Sequence, residues 1–205
     1  MSEPSTVATT DILKMCILNS DFAALQDLVG VSVHGFTGVG KSTYIQTMQG
    51  ENFQYYEKDQ TYKPQHRIKN ITRPKVATQV RSTTISIHPY EAKLRIFFDM
   101  AGLAETRGKD FEMWSKFMLS TFYRLIGGIE ATVIVLDCSN VTNKHAEDIK
   151  RLAVSLANTF GLGNKAFYES MCFVFTRPIA VKTSLLGTLV LTFLPMLLKM
   201  FVGGG

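Results

Sequence analysis

Apolar residues recur with two periods along the chain, one suited to strands and one to helices. Val31–His34 is a short apolar strand, and Lys41–Gln49 reads as a helix. Ser82–His88 sets Thr84 and Ser86 against Ile85 and Ile87, which suits a strand with one covered face. Leu94–Asp99 is a fuller apolar run, and His88-Pro89-Tyr90-Glu91 before it has the residues of a hairpin turn. Asp110–Ile126 places Trp114, Phe117, Met118, Phe122 and Leu125 on one helical face. Ala131–Asp137 is a buried-strand run, Ala146–Phe160 an amphipathic helix that stops at Gly161, and Met171–Thr176 a fifth strand. Strands and helices alternating in this way predict an α/β fold, with a mostly parallel sheet covered by helices on both faces.

Three further stretches fall outside that alternation. Residues 1–30 place Ile12, Leu13, Cys16 and Ile17, then Phe22, Leu25, Leu28 and Val29, at helical spacing, which predicts a helical N-terminal extension, packed on the domain or serving as an amphipathic arm for a partner. Residues 50–81 are polar, basic and rich in Tyr, with Pro64 and Pro74, and so long a connection is usually functional or mobile. Residues 183–202 are mainly apolar, with polar residues that are mostly Ser and Thr, and are about as long as a helix that crosses a bilayer. The expected division is a 1–30 extension, a 31–182 domain and a 183–205 hydrophobic segment.

Charge separates these regions further. The chain has 205 residues and a formal net charge of +5. Within 52–82, the seven cations Lys58, Lys63, Arg67, Lys69, Arg73, Lys75 and Arg81 stand against Glu57 and Asp59 alone. The excess therefore belongs to one segment, which reads as a solvated basic loop able to approach anionic lipid. It carries no nucleic-acid reading motif, and no nucleic-acid partner is expected. Cys16, Cys138 and Cys172 are too widely spaced for a disulfide framework and show no metal spacing. A reducing, cytoplasmic setting is expected, with 183–202 anchoring the chain on the cytosolic face of a membrane or, alternatively, packing as a helix on the sheet.

The strongest chemical signal is Gly35-Phe36-Thr37-Gly38-Val39-Gly40-Lys41-Ser42, which fits G-x-x-x-x-G-K-[ST] between an apolar strand and a helix. Glycines let a turn approach an anion closely, and the following helix start adds oriented N–H groups and partial positive charge. Lys41 is expected on the β- and γ-phosphates, Ser42 on Mg²⁺ and Thr43 on an α-phosphate oxygen. Asp99-Met100-Ala101-Gly102 ends another apolar strand, 58 residues after Lys41. There Asp99 is expected to serve Mg²⁺, and Gly102 to offer its N–H to a γ-phosphate. A hydroxyl that senses both metal and phosphate should lie before or at the second strand. Thr83 and Thr84 are the nearest candidates, Thr84 the preferred one, with Thr78 behind them.

Together with Cys172-Phe173-Val174-Phe175-Thr176-Arg177, these motifs resemble the septin-like branch of P-loop GTPases, in particular the immune-associated nucleotide-binding and chloroplast import receptor GTPases. The stretch 129–160, with Asn140-Val141-Thr142, resembles that branch as well, and the likeness covers about residues 28–177. It implies a P-loop NTPase three-layer sandwich and a Mg²⁺-dependent GTP/GDP switch. Such proteins often pair as homodimers through their nucleotide faces and often associate with membranes. By position, Thr176 and Arg177 would flank the base.

The chain departs from the pattern in four places. Ile179 stands where the family's guanine-reading Asp is expected, which removes a paired polar contact that supports base discrimination. The third motif reads D-M-A-G rather than D-T-P-G. Leu103 stands where some GTPases orient the attacking water, so unaided hydrolysis should be slow. Only 28 residues follow Arg177, too few for the family's last strand and helix alongside 183–202, so the nucleotide domain is expected to be incomplete on its C-terminal side. Three functions fit: a GTP-binding switch with slow hydrolysis, a scaffold or dimer partner without turnover, and a P-loop ATPase.

Overall fold

A computed structural model describes residues 22–56, 61–66, 71–74, 87–102, 109–137, 154–158, 160 and 168–176. Its strands are β1 (Val29–His34), β2 (Asn52–Tyr56), β3 (Thr61–His66), β4 (His88–Ala92), β5 (Arg95–Asp99), β6 (Gly128–Asp137) and β7 (Met171–Thr176). Its helices are α1 (Phe22–Leu25), α2 (Lys41–Met48) and α3 (Lys109–Leu125). Residues 154–158 are also helical.

The main sheet has five strands in the order β4-β5-β1-β6-β7. β1 pairs in parallel with both β5 and β6, and β6 pairs in parallel with β7. Only β4 runs antiparallel, on β5. The fold is thus mixed α/β around a mostly parallel sheet with helices on both faces. Alternation along the strands assigns the faces. Val31, Val33, Phe97, Val133 and Val135 pack with Val39 and with Ile45 of α2. On the other face, Phe98 and Met100 pack with Leu25 of α1 and with Leu119 and Phe122 of α3, while Ile134 and Leu136 pack with Leu156.

This topology sets where the loops gather. From β1 the chain proceeds to β5 on one side, then crosses to β6 and β7 on the other. The carboxyl ends of β1 and β6 therefore flank the point where successive connections diverge, the usual place for a ligand crevice in such sheets. Gly35–Gly40 follows directly from β1 at that point. Register also places Asp99 beside Val33, at the same end of the sheet.

Several sequence expectations change. The turn expected at 88–91 is strand β4, and the chain reverses instead at Lys93-Leu94, where Lys93 has a φ of 58°. Pro89 suggested a turn, but β4 is an edge strand, where a missing N–H is tolerated. The described part of 50–81 contains an antiparallel strand pair: β2 and β3, with Tyr55 opposite Tyr62, form a two-stranded sheet of their own. Aromatic strand propensity outweighs the polar composition there. On α3 the buried residues are Met118, Leu119 and Phe122, whereas Phe117 remains half exposed. β1 begins at Val29, inside the expected N-terminal extension. Among the described residues no helix is long and apolar enough to cross a membrane. The segment 183–202, Thr78, Thr83, Thr84, Leu103, Arg177 and Ile179 lie outside the described residues.

Candidate functional site

The site begins with backbone conformation. Gly35, Gly38 and Gly40 have φ of 147°, 82° and 99°, a region that side chains other than glycine's rarely enter. A Cβ on Gly35 would stand 2.4 Å from the Val135 carbonyl oxygen of β6. The loop therefore leaves β1 in close contact with its neighbouring strand. Gly40 is the N-cap of α2 and has no side chain to close the helix end. The N–H groups of the first turn remain suited to an external acceptor.

Side chains brace this loop from within. Lys41 is buried, and its Nζ curls back to donate to the carbonyls of Gly35 at 3.2 Å and Phe36 at 2.9 Å. Val39 is buried among Val31, Val33 and Ile45. Phe36 packs between the two apolar clusters on either side of the sheet. Thr176, at the end of β7, places its Oγ1 2.7 Å from the Val39 carbonyl and 3.2 Å from that of Leu136. Its hydroxyl thus props the loop. Thr43 follows on α2, half-buried.

The second motif meets the first. Phe97 and Asp99 share the α2 face of β5, so the Asp99 carboxylate meets the first turn of that helix. Ser42 Oγ donates to Asp99 Oδ2 at 2.7 Å, and Asp99 is buried. Gly102 lies against Thr37: a Cβ there would come within 2.3 Å of Thr37 Oγ1 and 2.9 Å of its Cα and N. Gly35 through Ser42, Asp99, Gly102 and Thr176 therefore form one constellation. A hydroxyl paired with a carboxylate is a hard-oxygen donor set of the kind Mg²⁺ uses, with water and phosphate completing the shell. These two residues fit that ion, although among the described residues no group of three or more His, Cys, Asp or Glu could hold a metal.

A polar cluster beneath the loop gave no signal in the sequence. His34 precedes Gly35, is fully buried, and its Nε2 lies 2.9 Å from the Tyr123 hydroxyl of α3. The Phe160 ring meets it edge-on, at 5.7 Å between centroids. Ser32 donates to Thr132 at 3.3 Å on the same face. A histidine inside an apolar run reads as an ordinary strand end until α3 is placed over it. Burial, and after it the nearby Lys41 ammonium, pushes the His34 imidazole down from 6.5 to about 3.

That shift predicts a pH effect. Between pH 6.5 and 3 the unfolded chain takes up a proton that folded His34 refuses, so stability falls as pH falls through that window. Going from pH 7.5 to 5, His34 should contribute a loss of about 2 kcal/mol. Urea melts at the two pH values should show that loss in the wild type and a correspondingly smaller one in His34→Gln. Equal losses in both proteins would remove the buried neutral histidine as its source.

No protein-family model matches the chain, and no curated protein matches it.

Proposed function

We propose that the chain is a GTP-binding switch protein built as a P-loop NTPase sandwich, with slow Mg²⁺-dependent hydrolysis. One observation carries the reading: a glycine loop at the end of the central strand, closed by Lys41, stands beside a serine–aspartate pair spanning 2.7 Å. Sulfate or a carboxylate could occupy a helix end alone. The lysine together with the metal-type pair favours a polyphosphate carrying a divalent ion. Ser42 and Asp99 would hold Mg²⁺, whose charge offsets that of the outer phosphates.

The guanine reading rests on the resemblance around Thr176 and Arg177, and Ile179 weakens it. Base choice should accordingly be modest. Competition titrations of full-length protein with GTP and ATP, in Mg²⁺, should show GTP preferred by less than about a hundredfold, or about 2.7 kcal/mol. A larger preference would show that another group reads guanine, and preference for ATP would replace the switch reading with an ATPase. Slow phosphate release whose rate per mole of protein rises with protein concentration would support pairing through the nucleotide face. Pelleting with membranes that is lost on deletion of 183–205 would support the anchor.

A further inference from the structure

We propose that the Thr37 hydroxyl reads the terminal phosphate, distinguishing a nucleoside triphosphate from a diphosphate. This deepens the nucleotide reading above and rests on it. Thr37 Oγ1 is buried and makes no hydrogen bond among the described residues. Leaving a buried hydroxyl unbonded is costly, so such a group calls for an explanation in the function of the site. Its surroundings supply one. The peptide that joins Phe36 to Thr37 is held by Lys41 Nζ through the Phe36 carbonyl, 2.9 Å away. Gly102, three residues beyond the Asp99 carboxylate, packs so closely on Thr37 that no larger residue fits without displacing its backbone. The hydroxyl therefore sits on the seam between the two motifs, on the residue after the carbonyl that holds the Lys41 ammonium.

Position along the loop decides which phosphate it meets. The arm at Gly40–Ser42 opens α2, and its N–H groups suit the inner phosphates. Thr37 belongs to the opposite arm, the one that touches Gly102. An outermost phosphate, with its three anionic oxygens, can accept from this hydroxyl at the seam, whereas a diphosphate ends short of it. The bond is charge-assisted, and so stronger than one between neutral groups. The hydroxyl belongs to the reaction's ligand-binding set, and its effect should be selective for nucleotide state.

Equilibrium titrations test this on full-length wild type, Thr37→Val and Thr37→Ser, in Mg²⁺, with GDP and with a slowly hydrolysed GTP analogue. Valine keeps the branched shape and removes the hydroxyl. It should weaken the triphosphate by about ten- to hundredfold and leave GDP within about twofold, and serine should restore most of the loss. Equal weakening of both nucleotides would assign Thr37 to the loop's structure, and an unchanged triphosphate affinity would equally overturn the proposal. Wild type that binds neither nucleotide would overturn the nucleotide reading itself, an outcome separate from those two.

Discussion

Lys41→Ala is expected to weaken Mg²⁺–GTP binding by at least about a hundredfold, at least about 2.7 kcal/mol, in a calorimetric titration. The side chain is buried and fixed by the Gly35 and Phe36 carbonyls, so its ammonium is already gathered at the loop. Burial keeps the ammonium at the loop before nucleotide arrives, so less freedom is lost when it turns to phosphate than for a lysine out in solvent. Each charge-assisted bond to phosphate contributes about 1.5–3 kcal/mol, and two such bonds reach the expected loss. Alanine also leaves two loop carbonyls without their donor, so a thermal melt must accompany the titration. A large affinity loss with a small change in melting temperature is the expected pattern. An unchanged affinity would remove Lys41 from any binding site.

Gly35→Ala is expected to act on the fold itself. Its φ of 147° excludes an ordinary side chain, and the added Cβ would lie 2.4 Å from the Val135 oxygen. Backbone strain and overpacking each cost on the order of 1–3 kcal/mol, and here the obstructing atom is backbone of the neighbouring strand. Relief would require β1 and β6 to separate at their carboxyl ends, where the loop begins. Denaturant unfolding should show a loss of about 3 kcal/mol or more. Gly38→Ala makes a useful contrast: its φ is also positive, but nothing lies within 4 Å of the added carbon, so strain acts there without the collision. Equal stability of the two variants would contradict the close approach of β1 and β6.

The sequence disclosed those parts of the structure that rest on local pattern. The apolar runs at Val31–His34 and Ala131–Asp137, and the G-x-x-x-x-G-K-S run, are local signals, and each lies where expected. Asp99 was legible because an apolar strand delivers it, and the register beside Val33 brings it to Ser42. Contacts that depend on strand order were not legible. Thr176 is 137 residues from Val39, and only the placement of β7 next to β6 turns its hydroxyl toward the loop. His34 and Tyr123 meet only because α3 crosses β1. The β2–β3 pair was obscured because its polar and basic residues outweigh its aromatic alternation. In the sequence Gly102 reads as an N–H donor, and only the packing shows that its missing side chain admits Thr37.

Crystallising full-length protein with Mg²⁺ and a slowly hydrolysed GTP analogue tests the central claim most directly. The account predicts phosphate density enclosed by the main chain of 35–42, with Lys41 Nζ turned from the Gly35 and Phe36 carbonyls toward it and Ser42 beside the metal. A loop that keeps Lys41 on those two carbonyls at saturating nucleotide, with no phosphate in its curve, would contradict it.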